Sequence, residues 1–431
     1  MSELTDYGAT PARDVIDLNQ VRDEQAEDNH SDDKPKSLKL TGFDVPLSRD
    51  IPKRPWVYGR SYLGGVVSGT IAPGGAGKSS VTLAEAIAMA SMPNDMDQTH
   101  SFLNKWTKRG LRVCYLNLED PMTEQKRRAA AIIDKFGIDR NVIRERLLIS
   151  DSVSFGLCFA EMDGGRAVVS VDLERLEKAI SKNNIDVVVI DPFVSAHNVS
   201  ENDNGAIDTV IKAIGGTARR TGAAIHLVHH VTKLRGDTLS QDSARGASAF
   251  VDGLRALRGI VKMTQTEAEN AGLQSPQGYI RAEDMKTNYV QAEKGDWYHL
   301  QSFELENGDW VGVPVPWKYP DALDDFDGSQ AKEIILAIQA AQPVRKDPQT
   351  HGEWAGTFIG EVMGWDVPDG RTKPKERTPE QCEALAKAKR ALRAWETSGT
   401  LIEGEMKHPT KSNKTVKTYS VDPDKIPCAT T

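Results

Sequence analysis

Cysteine is scarce in this chain: four among 431 residues, at Cys114, Cys158, Cys382 and Cys428, far apart and without metal-ligand spacing. The pattern excludes a disulfide framework and suggests no zinc site, so a reducing cytoplasm is the expected setting. Long apolar runs are missing too. The longest candidates are broken by Gly, Ser, Pro or charge well short of about 18 residues, and neither a membrane span nor a secretory signal is expected. No large excess of one charge dominates, the net value being -8. That sum does not forbid nucleic-acid binding, which depends on a local basic surface. With 39% hydrophobic and 27% charged residues, the chain reads as an ordinary globular protein of two or three domains.

Charge is unevenly spread. Residues 1–38 hold Asp14, Asp17, Asp23, Glu24, Glu27, Asp28, Asp32 and Asp33 with few aromatic or branched residues, and such a segment cannot bury enough surface to order itself. It is expected to be a disordered acidic tail. A second break falls at 321–329, where Asp, Gly and Ser crowd before a helical pattern starting near Ala331. The expected organisation is therefore the tail, an α/β core over 39–320, a linker at 321–329 and a small C-terminal domain over 330–431.

The richest stretch is Ala72, Pro73, Gly74, Gly75, Ala76, Gly77, Lys78, Ser79 and Ser80, between an apolar run, 65–71, and an alanine-rich helical pattern, 80–90. Glycines let successive backbone N–H groups converge on phosphate oxygens, and the following helix points its positive end at the same anion. Lys78 adds a cation for the terminal phosphates, and the Ser79 hydroxyl suits a Mg2+ ion bridging them. ATP with Mg2+ is the expected ligand pair. Ala72 stands where the strict pattern has Gly, a minor departure if its torsions are ordinary.

Downstream, strands and helices alternate. The runs 111–118, 185–190 and 223–230 are short and apolar, as buried strands of a mainly parallel sheet are. Helical patterns lie over 123–136 and 171–182. Asp191 falls at a strand's carboxyl end, where ligands bind in open α/β sheets, and could hold Mg2+ through water. The alternative is an ordinary Asp that caps the next turn. Glu119 ends the strand beside the phosphate loop and could polarise an attacking water. Asp120 competes, although it better suits a helix cap with Pro121 at the first helical position. His229 and His230 must point to opposite faces of their strand, so one can reach the site while the other is packed or solvated. A metal site joining them with His226 has no identifiable further ligand.

Taken in order, Ala72 to Ser79, the 115–121 segment, Ile190-Asp191, His229-His230, Arg245-Gly246-Ala247-Ser248 with Asp252 and Arg255, and 286–289 resemble the RepA-type replicative ATPases. These are plasmid and phage relatives of the RecA and DnaB helicases. The resemblance covers roughly residues 50 to 300 and implies a RecA-like P-loop core working as a homo-oligomeric ring, commonly a hexamer, with ATP between neighbours. By that likeness Lys78 and Ser79 hold phosphates and Mg2+, Glu119 is the catalytic base, Asp191 the metal-site acid and His230 the γ-phosphate sensor. Arg255 is the finger offered to a neighbour's ATP, with Arg245 the second candidate; either could instead be a surface ion pair. The loop carrying Lys233 and Arg235 corresponds to channel loops that hold single-stranded DNA, though composition alone equally allows a solvated loop.

The C-terminal residues depart from those relatives. Helical patterns at 331–341, 353–364 and 379–398 precede two strand-like segments, 400–403 and 417–421, the order of a winged helix. Lys387, Lys389, Arg390 and Arg393 on the third helix, with Lys407, Lys411, Lys414 and Lys417 on the wing, would grip DNA. Glu380, Glu383 and Glu396 dilute that patch, which leaves origin DNA or a replication partner protein as its target.

Overall fold

The computed structural model describes residues 44–94, 99–107, 109–151, 156–231, 248–289, 295–348, 354–369, 372–408 and 414–427. The acidic tail expected over 1–38 lies outside them. The chain divides into two compact units, Met1–Val261 with Ile280–Pro316, and Lys262–Tyr279 with Trp317–Thr431.

The first unit is built on a nine-stranded sheet. Its strands are β1 (Val67–Ala72), β2 (Val113–Asn117), β3 (Leu147–Asp151), β4 (Val187–Asp191), β5 (Ala224–His230), β6 (Ala256–Lys262), β7 (Tyr279–Thr287), β8 (Asp296–Glu304) and β9 (Trp310–Trp317). The spatial order is β9-β8-β7-β6-β1-β5-β4-β2-β3, and the six strands from β6 to β3 are mutually parallel. Continuous branched runs form these strands because both faces are covered. In β4, Val188 and Ile190 belong to one apolar cluster, while Val187 and Val189 belong to another on the opposite face. Each such side chain, fully withdrawn from water, contributes about 1.5–3 kcal/mol of transfer free energy.

Helices α1 (Lys78–Ser91), α2 (Met122–Phe136), α3 (Val171–Asn183) and α4 (Asn204–Thr221) make the crossovers. Alanine dominates α1, and nearly all of the helix is buried; small side chains let it lie close against the sheet. The pattern expected at 171–182 ends one residue later, where Asn184 adopts φ 51° and stops the helix.

The second unit holds α5 (Gln265–Ala271), α6 (Gly328–Ala341), α7 (Ala355–Met363) and α8 (Pro379–Thr397). Strands β10 (Val344–Arg345), β11 (Leu401–Lys407) and β12 (Thr415–Val421) accompany them in a sheet of order β10-β12-β11. Its core gathers Ile334, Ile338, Trp354, Leu392, Trp395 and Tyr419. Residues 262–279, read from sequence as part of the 39–320 core, cluster here instead. The cause is local packing: Gly272 lies against Glu383 and Ala386 of α8, and Arg390 of α8 donates to the Asn270 carbonyl at 2.7 Å.

Candidate active site

Parallel register brings the candidate residues to one edge. Asp191 lies opposite Asn117 and His230 opposite Ala72, so β1, β2, β4 and β5 all end beside the phosphate loop, where α/β sheets bind ligands. Within the loop, Gly75 and Gly77 have φ of 68° and 82°, torsions that favour glycine. A Cβ at Gly77 would come within 2.8 Å of Leu300 Cδ1, whereas one at Gly74 or Gly75 would meet nothing within 4 Å. The loop from Pro73 to Ala76 is thus an open cradle, and Gly77 is the left-handed cap from which α1 starts with no side chain on its first N–H groups. That leaves those donors, including those of Ser79 and Ser80, for an anion.

Lys78 is only 5% exposed, and its Nζ lies 2.6 Å from His230 Nδ1. Burial lowers the affinity of Lys78 for its proton, an effect opposed by Asp191 and Glu119. Burial, and then the Lys78 charge, likewise holds His230 below its ordinary value, so a neutral imidazole accepts from the ammonium. Asp191 is 1% exposed. Tyr115 donates its hydroxyl to Asp191 Oδ2 at 2.7 Å, with Thr82 at 3.4 Å. Burial raises the Asp191 pKa, against the hydrogen bonds from Tyr115 and Ser79 and the charge of Lys78. Its contact with Ser79 makes a hydroxyl and a carboxylate adjacent, a hard oxygen pair that fits Mg2+.

Glu119 is exposed, and its Oε2 stands 4.0 Å from His230 Nε2. Asp120 is engaged elsewhere: Asn117 donates to it at 3.1 Å and Arg128 at 2.8 Å. The cap expected of Asp120 does not form. Pro121 itself occupies the N-cap and α2 begins at Met122, because Arg128, two turns along the helix, draws the Asp120 carboxylate aside.

Of the paired histidines, His230 faces Lys78, while His229 is packed between Phe193 and Phe250 with its Nδ1 3.5 Å from Glu201. His226 sits between Ser68 and Thr70, at 2.8 and 2.7 Å. Among the described residues no group of three or more His, Cys, Asp or Glu could hold a metal ion.

Arg255 is not in this cluster. Its N–H donates to the Val67 carbonyl at 3.0 Å, at the opposite end of β1 from the phosphate loop, so about 17 Å of strand separates the two. Its side chain is exposed and lines a concavity of about 820 Å3 with Asp208, Lys212, Arg219 and Tyr289. Lys233, Arg235 and Arg245 lie outside the described residues.

In the second unit several of the basic residues are already partnered. Lys387 bridges Asp325 and Glu383, Arg390 pairs with Asp325, and Lys417 pairs with Glu403. Arg393 donates to Asn270 Oδ1 at 2.9 Å. Lys389 is partly buried, and burial, followed by Arg377 and Arg393, lowers its pKa. Lys414 is exposed. Lys389 and Arg393 line a groove of about 510 Å3 with Lys346 and Lys417.

What sequence reasoning missed is the support of the site. Tyr115 and Thr82 both reach Asp191, and a hydroxyl on the strand next to Asp191 was the available signal. No helix among the described residues is long and apolar enough to cross a membrane. Residues 34–236, which hold the phosphate loop, Glu119, Asp191 and His230, match a family model described as an AAA domain, and the match together with the mostly parallel sheet supports a nucleotide-binding P-loop ATPase core in this segment.

Proposed function

We propose that the chain is an ATP-hydrolysing DNA translocase or helicase, working as a homo-oligomeric ring, a hexamer, in replication of a plasmid, phage or other mobile element. The observation that carries this reading is the position of Arg255. It stands at the far end of β1 from Lys78, so it is out of reach of its own phosphate loop and available to a neighbour's. An arginine offered in trans makes hydrolysis depend on assembly.

Within the site Lys78 and the loop amides hold the phosphates. Glu119 orients water and takes its proton, and His230 exchanges its contact with Lys78 according to whether a terminal phosphate is present. Ser79, with Asp191 through water, would hold Mg2+, which neutralises charge on the phosphates when bound.

The element order of the second unit, α6-β10-α7-α8-β11-β12, supports reading it as a winged helix. The internal pairing of Lys387, Arg390 and Lys417 favours a protein partner over base readout for this unit. The alternative function is a RecA-like ATPase switch that acts as a DNA-bound regulator, recombination or defence module without processive unwinding. A forked duplex incubated with protein and ATP separates the two. Strand displacement supports the translocase, whereas robust DNA-stimulated hydrolysis without displacement replaces it with the switch.

A further inference from the structure

Beneath the phosphate loop lies a charged network with no access to water. Glu85, on α1, and Arg258, on β6, have side chains 0% and 5% exposed. Arg258 Nη1 donates to Glu85 Oε1 at 2.5 Å, and Nη2 donates to Oε2. Tyr62 donates to the same Oε2 at 2.8 Å. Arg258 Nε donates to Thr70 Oγ1 at 2.8 Å, and Thr70 meets His226 Nε2 at 2.7 Å. Glu85, Arg258, Thr70 and His226 thereby join α1 to β6, β1 and β5, the last three adjacent in the sheet.

Three of these elements carry or directly follow a candidate site residue: α1 carries Lys78, β5 carries His230, and β6 follows Arg255. Glu85 follows Lys78 by seven residues, two helical turns, and so shares its face of α1. Arg258 lies three residues after Arg255 on the same chain segment, and its backbone is in register with Thr70. His226 precedes His230 by four residues, on the same face of β5. A buried ion pair adds little stability over apolar side chains of similar volume, so stability does not account for it. What a bidentate pair supplies is fixed relative geometry. Apolar contacts let a helix slide against a sheet; this fork does not.

We infer that Glu85 and Arg258 are positioning residues that couple the helix bearing Lys78 to the strand presenting Arg255, so that nucleotide on the phosphate loop sets where the arginine stands. The inference rests on the ATPase reading and on Arg255 acting in trans, and it concerns how one subunit's occupancy governs what it offers to the next. Coupling of this kind is reciprocal in binding free energy.

The test replaces the charges and removes the hydroxyl that would lose its acceptor, combining Tyr62→Phe, Glu85→Met and Arg258→Leu. The variant should fold with a thermal midpoint at or above that of the wild type and keep ATP affinity within about threefold, yet turn over at least about three-hundredfold more slowly. Adding Arg255→Ala should then cost less than about threefold, against about 10³-fold in the wild-type background. Turnover within about twofold of wild type, or an undiminished Arg255→Ala effect, overturns the inference. Hydrogen exchange on the wild-type protein covers a variant that does not fold. Amides of 256–262 should exchange more slowly with a nonhydrolysable ATP analogue, and equal rates with and without it overturn the inference. A wild-type protein that neither binds nor hydrolyses ATP removes the ATPase reading and the coupling with it, a result distinct from normal turnover in the variant.

Discussion

Lys78 Nζ lies 2.6 Å from His230 Nδ1, joining the phosphate loop to the end of a strand 152 residues later. Burial lowers the hold of Lys78 on its proton, and burial, followed by the Lys78 charge, lowers that of His230. The pair is therefore poised as ammonium donor and imidazole acceptor. A phosphate arriving in the loop competes for the same ammonium.

Lys78→Ala should lower ATP affinity and turnover together, by about a hundredfold, because a preorganised donor to the phosphates is lost. His230→Ala should leave ATP affinity within about threefold and lower turnover by at least about tenfold. Nucleotide titration and steady-state phosphate release measure the two quantities separately. Equal effects of the two substitutions on affinity would count against a sensing role for His230.

Glu119 and Asp120 are neighbours with different surroundings, and substitution should separate them. Glu119→Gln should retain ATP binding and reduce hydrolysis by about 10²–10⁴-fold, the usual contribution of a general base. Asp120→Asn weakens a half-buried pair with Arg128 and should cost about 1 kcal/mol or less of stability, with turnover within about threefold. Phosphate release and urea unfolding of the two variants check this. Full turnover in Glu119→Gln would exclude it as the base.

Arg255→Ala should bind ATP normally and lose turnover by about 10³-fold if the arginine serves a neighbouring subunit. Mixing provides the sharper measurement. Lys78→Ala and Arg255→Ala proteins, each strongly impaired alone, should regain part of the wild-type turnover when combined, because some interfaces then pair an intact loop with an intact arginine. No recovery in assembled mixtures would remove the trans role.

His229 links stability to pH. Burial, and then the charges of His230, His197 and Lys78, lowers its pKa to about 4 in the folded protein, against about 6.5 in an unfolded chain. The unfolded state therefore binds the proton more readily over that interval. The stability associated with the neutral ring is fully present above pH 6.5 and is lost as pH falls toward 4, by about 3 kcal/mol. His197 and His226, also lowered by burial, act in the same direction. Urea midpoints from pH 8 to 4 should fall steeply for the wild type and less steeply for His229→Phe. Parallel curves would show that His229 is not among the groups responsible.

In the second unit, Arg390→Ala should destabilise by about 1–3 kcal/mol, since it strips a buried guanidinium from Asp325 and from the Asn270 carbonyl while Lys387 still faces Asp325. Lys389→Ala and Lys414→Ala should leave thermal stability nearly unchanged. If this unit contacts DNA, they should weaken binding and reduce its salt dependence. Filter binding over a salt series, with thermal melts, distinguishes the effects.

Much of the core was legible from local pattern. The apolar runs at 111–118, 185–190 and 223–230 became strands Val113–Asn117, Val187–Asp191 and Ala224–His230, shifted by a residue or two at their ends. The order of helices and hairpin after residue 328 could likewise be read from sequence, because periodicity and turn residues act over a few positions. The boundary of the second unit was not legible in this way. Residues 262–279 interrupt the core between β6 and β7 and pack on α8, a choice made by contacts more than a hundred residues distant in sequence.

The phosphate loop, the parallel sheet and the strand-end positions of Glu119, Asp191 and His230 follow from the chain's local pattern, since glycine torsions, branched runs and residue alternation are local properties. Tertiary contacts select which carboxylate remains available, because Arg128 binds Asp120 and leaves Glu119 facing His230. Strand register decided that Arg255 stands at the other end of β1 and that Arg258 meets Glu85 beneath the loop. Spacing along a chain sets periodicity and torsion. Which charges find each other depends on register between strands that the chain visits far apart in sequence.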